Sequence, residues 1–437
     1  MHWNIKDTPL KETTAHLIEC LGVDAVVAQL LAQRGITTFE EARAFFRPHI
    51  GQLHDPFLMQ DMDKAVGRLQ QAIDQKEAVM VYGDYDVDGT TSVSLLTHFL
   101  RSQGLDVTPY IPDRYAEGYG LSKKGIDTAK AANISLMIAL DCGVKAIEQV
   151  AYAKTLGIEL IICDHHTPAD VLPDALAVLD PKRGDCTYPF KELCGCGVGF
   201  KLMQGLLQQQ GKEVNEIIAY LDFVAVAIAA DIVPMVGENR ALAFLGLQQL
   251  NTNPRPGLKA LMRDKQTGQI ISDVVFGMAP RINAAGRMKH GLDAVALLLS
   301  ASDEEAKKRA QEVETYNSSR REVEQDITKE ALAQIVANEE EKSAANVVYA
   351  PHWHKGVIGI VASRLIETYY RPTLVFTKSG EGVLAASARS VRGFDVYKAI
   401  DACRAHIIQF GGHKYAAGVT INCLLYTSDA ADDCVCV

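Results

Sequence analysis

Between Ala78 and Asp180 one pattern recurs: a short unbroken apolar run, an amphipathic stretch of helical spacing, then another run. The runs are AVMVY, VTPYI, LMIAL, ELIIC and LAVLD. A strand that is apolar on both faces must be covered on both, so such runs alternating with helices specify a parallel sheet between helical layers. Few other folds accept this pattern, and it sets the fold class as α/β.

The flanking sequence fits around that sheet. Residues 1–77 read as a helical N-terminal extension, with Val26, Val27, Leu30 and Leu31 at helical spacing and TTFEEARAFF opening a further helix behind a Thr cap. After the sheet-forming region, taken as 78–301, the stretch 302–342 is charged and free of Pro and Gly, with Val313, Tyr316, Val323, Ile327 and Ala331 near helical spacing. It predicts one long connecting helix. New strand-like runs, NVVYA, TLVF and VLAASA, then predict a second, smaller α/β domain over 343–422. The last segment, 423–437 (CLLYTSDAADDCVCV), breaks the preceding patterns and is expected to be foreign sequence.

Composition narrows the function classes. At 437 residues the chain is long enough for two or three domains. Its most lipid-like stretch, Ile217 to Val236, carries Asp222 and Asp231, so no transmembrane helix is expected. The start, MHWNIKDTPLKE, lacks a basic patch followed by an apolar run, which predicts a cytoplasmic chain with reduced thiols. Ten cysteines lack paired metal spacing, and Cys194-Gly-Cys196 reads as buried thiols rather than a zinc half-site. Net charge is −10, but residues 345–422 carry nine Lys and Arg against four acids. An acidic body with a basic late segment suits a protein that holds cations in one place and phosphates in another.

Acids and histidines cluster just after the apolar runs: Gly83-Asp84-Tyr85-Asp86-Val87-Asp88-Gly89-Thr90 after the first, Asp141-Cys142-Gly143 after the third, Asp164-His165-His166 after the fourth. Residues past the carboxyl ends of neighbouring parallel strands converge on one crevice, so these three are expected to meet. Asp231, ending the apolar segment DFVAVAIAADIV, is the candidate to close the cluster. Any one of these aspartates could be an ordinary helix cap; three clusters at successive strand ends need another account. Like charges so close force up each other's pKa unless cations neutralise them. Oxygen-rich ligation with imidazole and no thiolate favours Mn²⁺ or Mg²⁺. Asp86, Asp88, Asp141, His165 and Asp231 suffice for two such ions sharing a carboxylate.

The segments GDYDVDGTTS, DCG, DHH and AADIV together resemble the DHH phosphoesterase superfamily. PRINAAGRM (280–288), WHKGVIGIVASRL (353–365), SARS (387–390) and GGHKYAAG (411–418) resemble, in order, the later motifs of its DHH/DHHA1 single-strand-specific exonuclease branch, over about residues 40–421. The resemblance implies a parallel-sheet DHH domain joined by the long helix to a DHHA1 domain. It implies that Asp86, Asp88, Asp141, His165 and Asp231 are metal ligands, with Asp84 as a further one, and that His166 touches the scissile phosphate. Ser387, Arg389, Gly412 and His413 are implied to grip phosphate across a cleft from the metals, and Arg281, Asn283 and Arg287 to line the same groove. The implied activity is 5′→3′ hydrolysis of single-stranded DNA in repair and recombination by two-metal catalysis. The chain would act as a monomer, with a helicase or single-strand-binding protein as partner. Relatives usually continue past GGHxxAAG into an oligonucleotide-binding barrel, so poor affinity for long strands is expected. The main alternative is a small-substrate DHH/DHHA1 phosphodiesterase for short oligonucleotides or cyclic dinucleotides. The intact acids oppose a noncatalytic scaffold, and the GGH motif opposes a manganese-dependent pyrophosphatase.

Overall fold

The computed structural model describes residues 9–423, so the expectation about the foreign tail falls almost wholly outside the described residues. All five apolar runs are strands: β1 (Ala78–Gly83), β2 (Asp106–Tyr110), β3 (Leu136–Leu140), β4 (Glu159–Cys163) and β5 (Ala177–Leu179). They form one parallel sheet in the order β2-β1-β3-β4-β5. Val79, Met80, Val81 and Tyr82 of β1 are all fully buried, the two-sided burial that an unbroken apolar run requires. One face packs Met80, Tyr82, Met137, Ala139, Leu160 and Ile162 against Ile126, Ala129, Val150 and Ala153 of the helices Lys123–Ala131 and Ile147–Thr155. The helices Met62–Gln75, Val87–Ser102 and Gly195–Gln209 lie against sheet strands as well. The strand order reverses between β1 and β3, the switch point at which open parallel sheets form their crevice.

The described residues divide into two compact units, 9–286 with 290–311, and 287–289 with 312–423. The helices ahead of β1 belong to the first. Thr38 opens the helix Phe39–Phe46 with a complete capping box, its hydroxyl accepting from the Glu41 N–H. Deeper in this unit, Lys201 and Glu238 form a fully buried ion pair at 2.7 Å. It fastens the segment around His54, whose N–H donates to Glu238 and whose carbonyl accepts from Lys201.

The connecting helix runs Asp303–Ala337, about 52 Å at 1.5 Å per residue. It stops short of residue 342 because Glu339 adopts a left-handed backbone (φ 55°) and a 3-10 turn follows over Glu340–Lys342. The second unit holds β6 (Asn346–Tyr349), β7 (Thr373–Gly380), β8 (Val383–Arg389), β9 (Gln409–His413) and β10 (Ala416–Asn422), in the order β6-β7-β8-β10-β9. Only the β6–β7 pairing in this sheet is parallel. Ile327, Ala331 and Ile335 of the long helix pack with Val348, Val361, Leu365 and Val375 in this unit's core.

Candidate metal centre

The site is built from chain turns at three strand ends and one helix end. Past β1, Asp86 caps the helix Val87–Ser102, its Oδ1 accepting from the Gly89 N–H at 3.0 Å. Gly89 cannot carry a side chain, since a Cβ there would come within 2.3 Å of the Asp84 carbonyl oxygen. Asp88 sits in that helix's first turn, where the macrodipole favours a carboxylate. Its two oxygens also accept the N–H groups of Gly195 (2.6 Å) and Cys196 (2.8 Å) at the start of the helix Gly195–Gln209. One carboxylate is thus fixed between two helix N-termini.

Past β3, Asp141 takes a left-handed backbone (φ 59°), its N–H bonded to the Cys163 carbonyl at 2.9 Å. A Cβ on Gly195 would lie 2.6 Å from the Asp141 Cβ, so glycine at 195 is what lets the second helix start against Asp141. Past β4, the Asp164 carboxylate accepts from the N–H groups of Val144 (2.9 Å), His165 (2.7 Å) and His166 (3.1 Å) and binds His166 Nδ1 at 2.8 Å. Although burial works against its charge, these partners hold Asp164 well below the usual carboxylate range. Its oxygens are occupied within the protein, and it orients the two histidines. Asp231 is the last residue of the helix Leu221–Asp231, followed by Ile232 in a left-handed conformation (φ 58°) that a β-branched residue rarely adopts.

These turns bring His165 Nε2 to 3.1 Å from Asp141 Oδ1 and to 3.7 Å from both Asp88 Oδ2 and Asp231 Oδ2. Two overlapping sets, Asp88–His165–Asp231 and Asp141–His165–His166, each place ligand atoms within 4.8 Å of one another. Asp84 and Asp86 fall outside both sets. Asp84 is buried, and its Oδ1 lacks a hydrogen-bond partner.

Crowding shifts every group in the cluster that responds. Burial, then the charge of Asp86, pushes Asp88 up to about 7. Burial, then Asp88 and Asp86, pushes Asp231 up to about 8. Asp141 is raised by burial and Asp88, and Asp84 by burial and Asp86. Burial and the neighbouring His166 drive His165 down to about 3, leaving a neutral imidazole. Burial also opposes charge on His166, but the hydrogen bond and charge of Asp164 push it up to about 9. The donor set is hard: Cys142, Cys194 and Cys196 are buried, and burial raises their thiols well above the ordinary value. Carboxylates that cannot all ionise around one neutral imidazole, with an unpartnered buried oxygen nearby, fit divalent cations with a preference for oxygen and imidazole.

Several groups carry no local sequence signal. Tyr119 lies 22 residues before Asp141, yet its hydroxyl meets the Asp141 carbonyl at 3.4 Å and His166 Nε2 at 3.2 Å. Arg114 lies over the Tyr85 ring, 3.8 Å from its centroid. The Cys194-Gly-Cys196 segment serves the site through its backbone, while Cys194 Sγ caps its own helix by accepting from Gly197.

The remaining candidates divide between the units. Arg281 and Asn283 are half-buried in the first, Arg281 bonding the Leu261 carbonyl at 3.2 Å. In the second, Arg287 donates to the Gly356 carbonyl at 2.9 Å, and Arg389, ending β8, donates to Ser387 Oγ and the Ala388 carbonyl. Among the described residues no carboxylate pairs with Arg389, and burial lowers its pKa. His413 is exposed at the end of β9. Gly412 answers to its neighbouring strand: at φ 141° a Cβ would lie 2.3 Å from the Ala416 carbonyl oxygen.

The strand order, the acids at the switch point and the paired histidines define a DHH-type protein. The model of the DHH family, N-terminal domain, matches residues 78–228, and that of the DHHA1 domain matches 325–431. The single-stranded-DNA-specific exonuclease RecJ of Bacillus subtilis is 41% identical over 425 residues, 96% of this chain and 53% of the relative. RecJ of Salmonella typhimurium is 38% identical over 91% of this chain and 72% of its own length. The crystal structure of RecJ in complex with Mn²⁺ from Thermus thermophilus superposes with a TM-score of 0.85 at 29% identity, over 98% of this chain and 61% of that one. The chain belongs to the RecJ family. It spans about half the length of the Bacillus relative.

Proposed function

We propose that the chain is a single-stranded-DNA-specific exonuclease that hydrolyses phosphodiester bonds from the 5′ end with two divalent ions, Mn²⁺ or Mg²⁺. The observation that carries this is His165 Nε2 within 3.1 to 3.7 Å of oxygens from three separate aspartates. Asp88 also accepts backbone N–H groups at a helix start, but the Asp141 and Asp231 carboxylates cap no helix N-terminus and face the same imidazole, which a run of helix caps does not require. Asp86, Asp88, Asp141, His165 and Asp231 would hold the ions, with Asp84 behind them. When bound, the ions would supply Lewis acidity and a water activated near neutral pH.

The protein's own residues divide the remaining work. His165 is held neutral, the form that can ligate a metal. His166 is cationic near neutral pH, so it suits a phosphate oxygen better than a metal ion. Its Nδ1–H is committed to Asp164, which aims the ring, and Tyr119 braces the other nitrogen. In the second unit, Arg389, with Ser387 and His413, supplies phosphate contacts, its guanidinium suited to a bidentate grip. Arg281, Asn283 and Arg287 complete the contacts to the strand. The single-stranded-DNA-specific exonuclease activity of the RecJ relatives and the basic surplus of residues 345–422 support a polyanionic single strand as substrate. The reading includes a cytoplasmic monomer that a helicase or single-strand-binding protein would recruit; among the described residues no single helix is long and apolar enough to cross a membrane.

The test is digestion of 5′-labelled and 3′-labelled single strands beside a blunt duplex and a dinucleotide, in Mn²⁺, Mg²⁺ or EDTA. Metal-dependent loss of the strand from its 5′ end with the duplex spared is expected. Cleavage of the dinucleotide alone would replace this reading with a small-substrate phosphodiesterase.

A further inference from the structure

In the second sheet, the start of β7, the end of β8 and the turn between β9 and β10 lie at one end, because Arg389 pairs with both Thr373 and Ala416, and Ala416 with His413. Three aromatic side chains emerge there. Tyr370, just before β7, is 70% exposed, Tyr415 in the β9–β10 turn 49%, and Phe394 in the loop after β8 39%. Burying such rings would be favourable, yet all three stay in solvent beside one another. The Arg392 N–H donates to the Tyr370 hydroxyl at 3.3 Å. The Ser390 N–H donates to the Tyr415 carbonyl, and Ser390 Oγ to the Phe394 carbonyl, both at 2.9 Å. Cations are interleaved with the rings: Arg392 is exposed, and Lys414 Nζ lies 5.5 Å from the Tyr415 ring centroid. Among the described residues neither cation is in an ion pair. The nearest acid in this loop, Asp395, is spent on capping the helix Val396–Ala402.

We propose that Tyr370, Phe394 and Tyr415, with Arg392 and Lys414, form a stacking surface that holds unpaired bases and their phosphates next to Arg389. Exposed rings suit the faces of unpaired bases, and free cations between them suit the backbone, a pairing that a purely apolar partner would not need. The inference deepens the single-strand reading above and rests on it.

The test measures affinity for phosphorothioate-linked oligo(dT), which resists cutting, in Mg²⁺ for the full chain. Each of Tyr370→Ala, Phe394→Ala and Tyr415→Ala is expected to weaken binding about tenfold, as loss of one base–aromatic stack does. Tyr370→Phe and Tyr415→Phe keep the ring and should bind nearly as wild type. Replacing Arg392 and Lys414 together by Gln should flatten the salt dependence by about 1.4 in log–log slope, for two single-strand phosphate contacts. Unchanged binding in all the alanine variants, with the wild type binding tightly, would overturn the stacking surface and leave the exonuclease reading intact. A wild type without affinity for oligo(dT) would overturn the single-strand reading itself.

Discussion

Asp141 shows how much one residue can be asked to do. Its left-handed backbone turns the carboxylate toward His165, and asparagine tolerates that conformation where alanine does not. Asp141→Asn therefore isolates the charge: activity should fall below one-hundredth of wild type, beyond the roughly 10–100-fold cost of losing an outer partner, while the melting temperature of the metal-free protein holds or rises. Gly195→Ala tests the packing behind it. The new methyl must displace Asp141, so a loss of about 1–3 kcal/mol in urea unfolding and weaker Mn²⁺ binding are expected. The pH dependence of the metal-free protein has a fixed sign. Asp88 and Asp231, raised to about 7 and 8, and His166, raised to about 9, all hold protons in the folded state that the unfolded chain releases at lower pH. Stability is then lost as pH rises from about 4, the unfolded aspartate value, to about 9, and the melting temperature should fall across that window, with His166 contributing only above about 6.5. His165, lowered to about 3, acts in the opposite sense below its unfolded value near 6.5 and offsets part of the fall there, so the net fall is steepest above about 6.5. Saturating Mg²⁺ should flatten the fall, since the cation replaces the protons. The sequence made Asp86, Asp88, Asp141 and the histidines visible because they follow strands directly. Tyr119 and Gly195 were not legible, since each reaches the site through tertiary contacts; Gly195 lies 107 residues from the Asp88 it serves.

At the scale of elements, the strands were readable because burial on both faces leaves no polar residue to interrupt an apolar run, as in LMIAL, where all five residues are fully buried. Helix ends were less so. The charged composition through residue 342 gives no sign that Glu339 will turn left-handed and end the long helix at Ala337. Nor does the sequence around Lys201 announce that this lysine is fully buried against Glu238 and pins the segment at His54. That pair predicts a sharp asymmetry. Lys201→Met strands a buried carboxylate and should cost about 3–5 kcal/mol in urea unfolding, whereas Lys201→Met with Glu238→Leu should recover part of the loss because no uncompensated charge remains. Equal losses in the single and double variants would show that the pair's charges do not govern the site.

For the whole molecule, charge and chain length frame what the fold can do. The acids that would hold cations belong to the unit with the parallel sheet, while the basic surplus and Arg389 belong to the unit with the mixed sheet. The candidate metal ligands and the basic stretch 345–422 therefore fall in different units, and neither unit alone carries both sets of groups. The two-domain plan was legible because a second set of strand-like runs follows the long helix; the antiparallel course of β7 to β10 was not, since local apolar patterning does not encode strand direction. The most direct test of the central claim is calorimetric titration of Mn²⁺ into the wild-type chain and the Asp141→Asn variant at neutral pH. Two ions per wild-type chain are expected, with proton release from Asp88 and Asp231, and loss or marked weakening of binding in the variant. A wild type that binds no ion, or a variant that binds both as tightly as wild type, would contradict that claim.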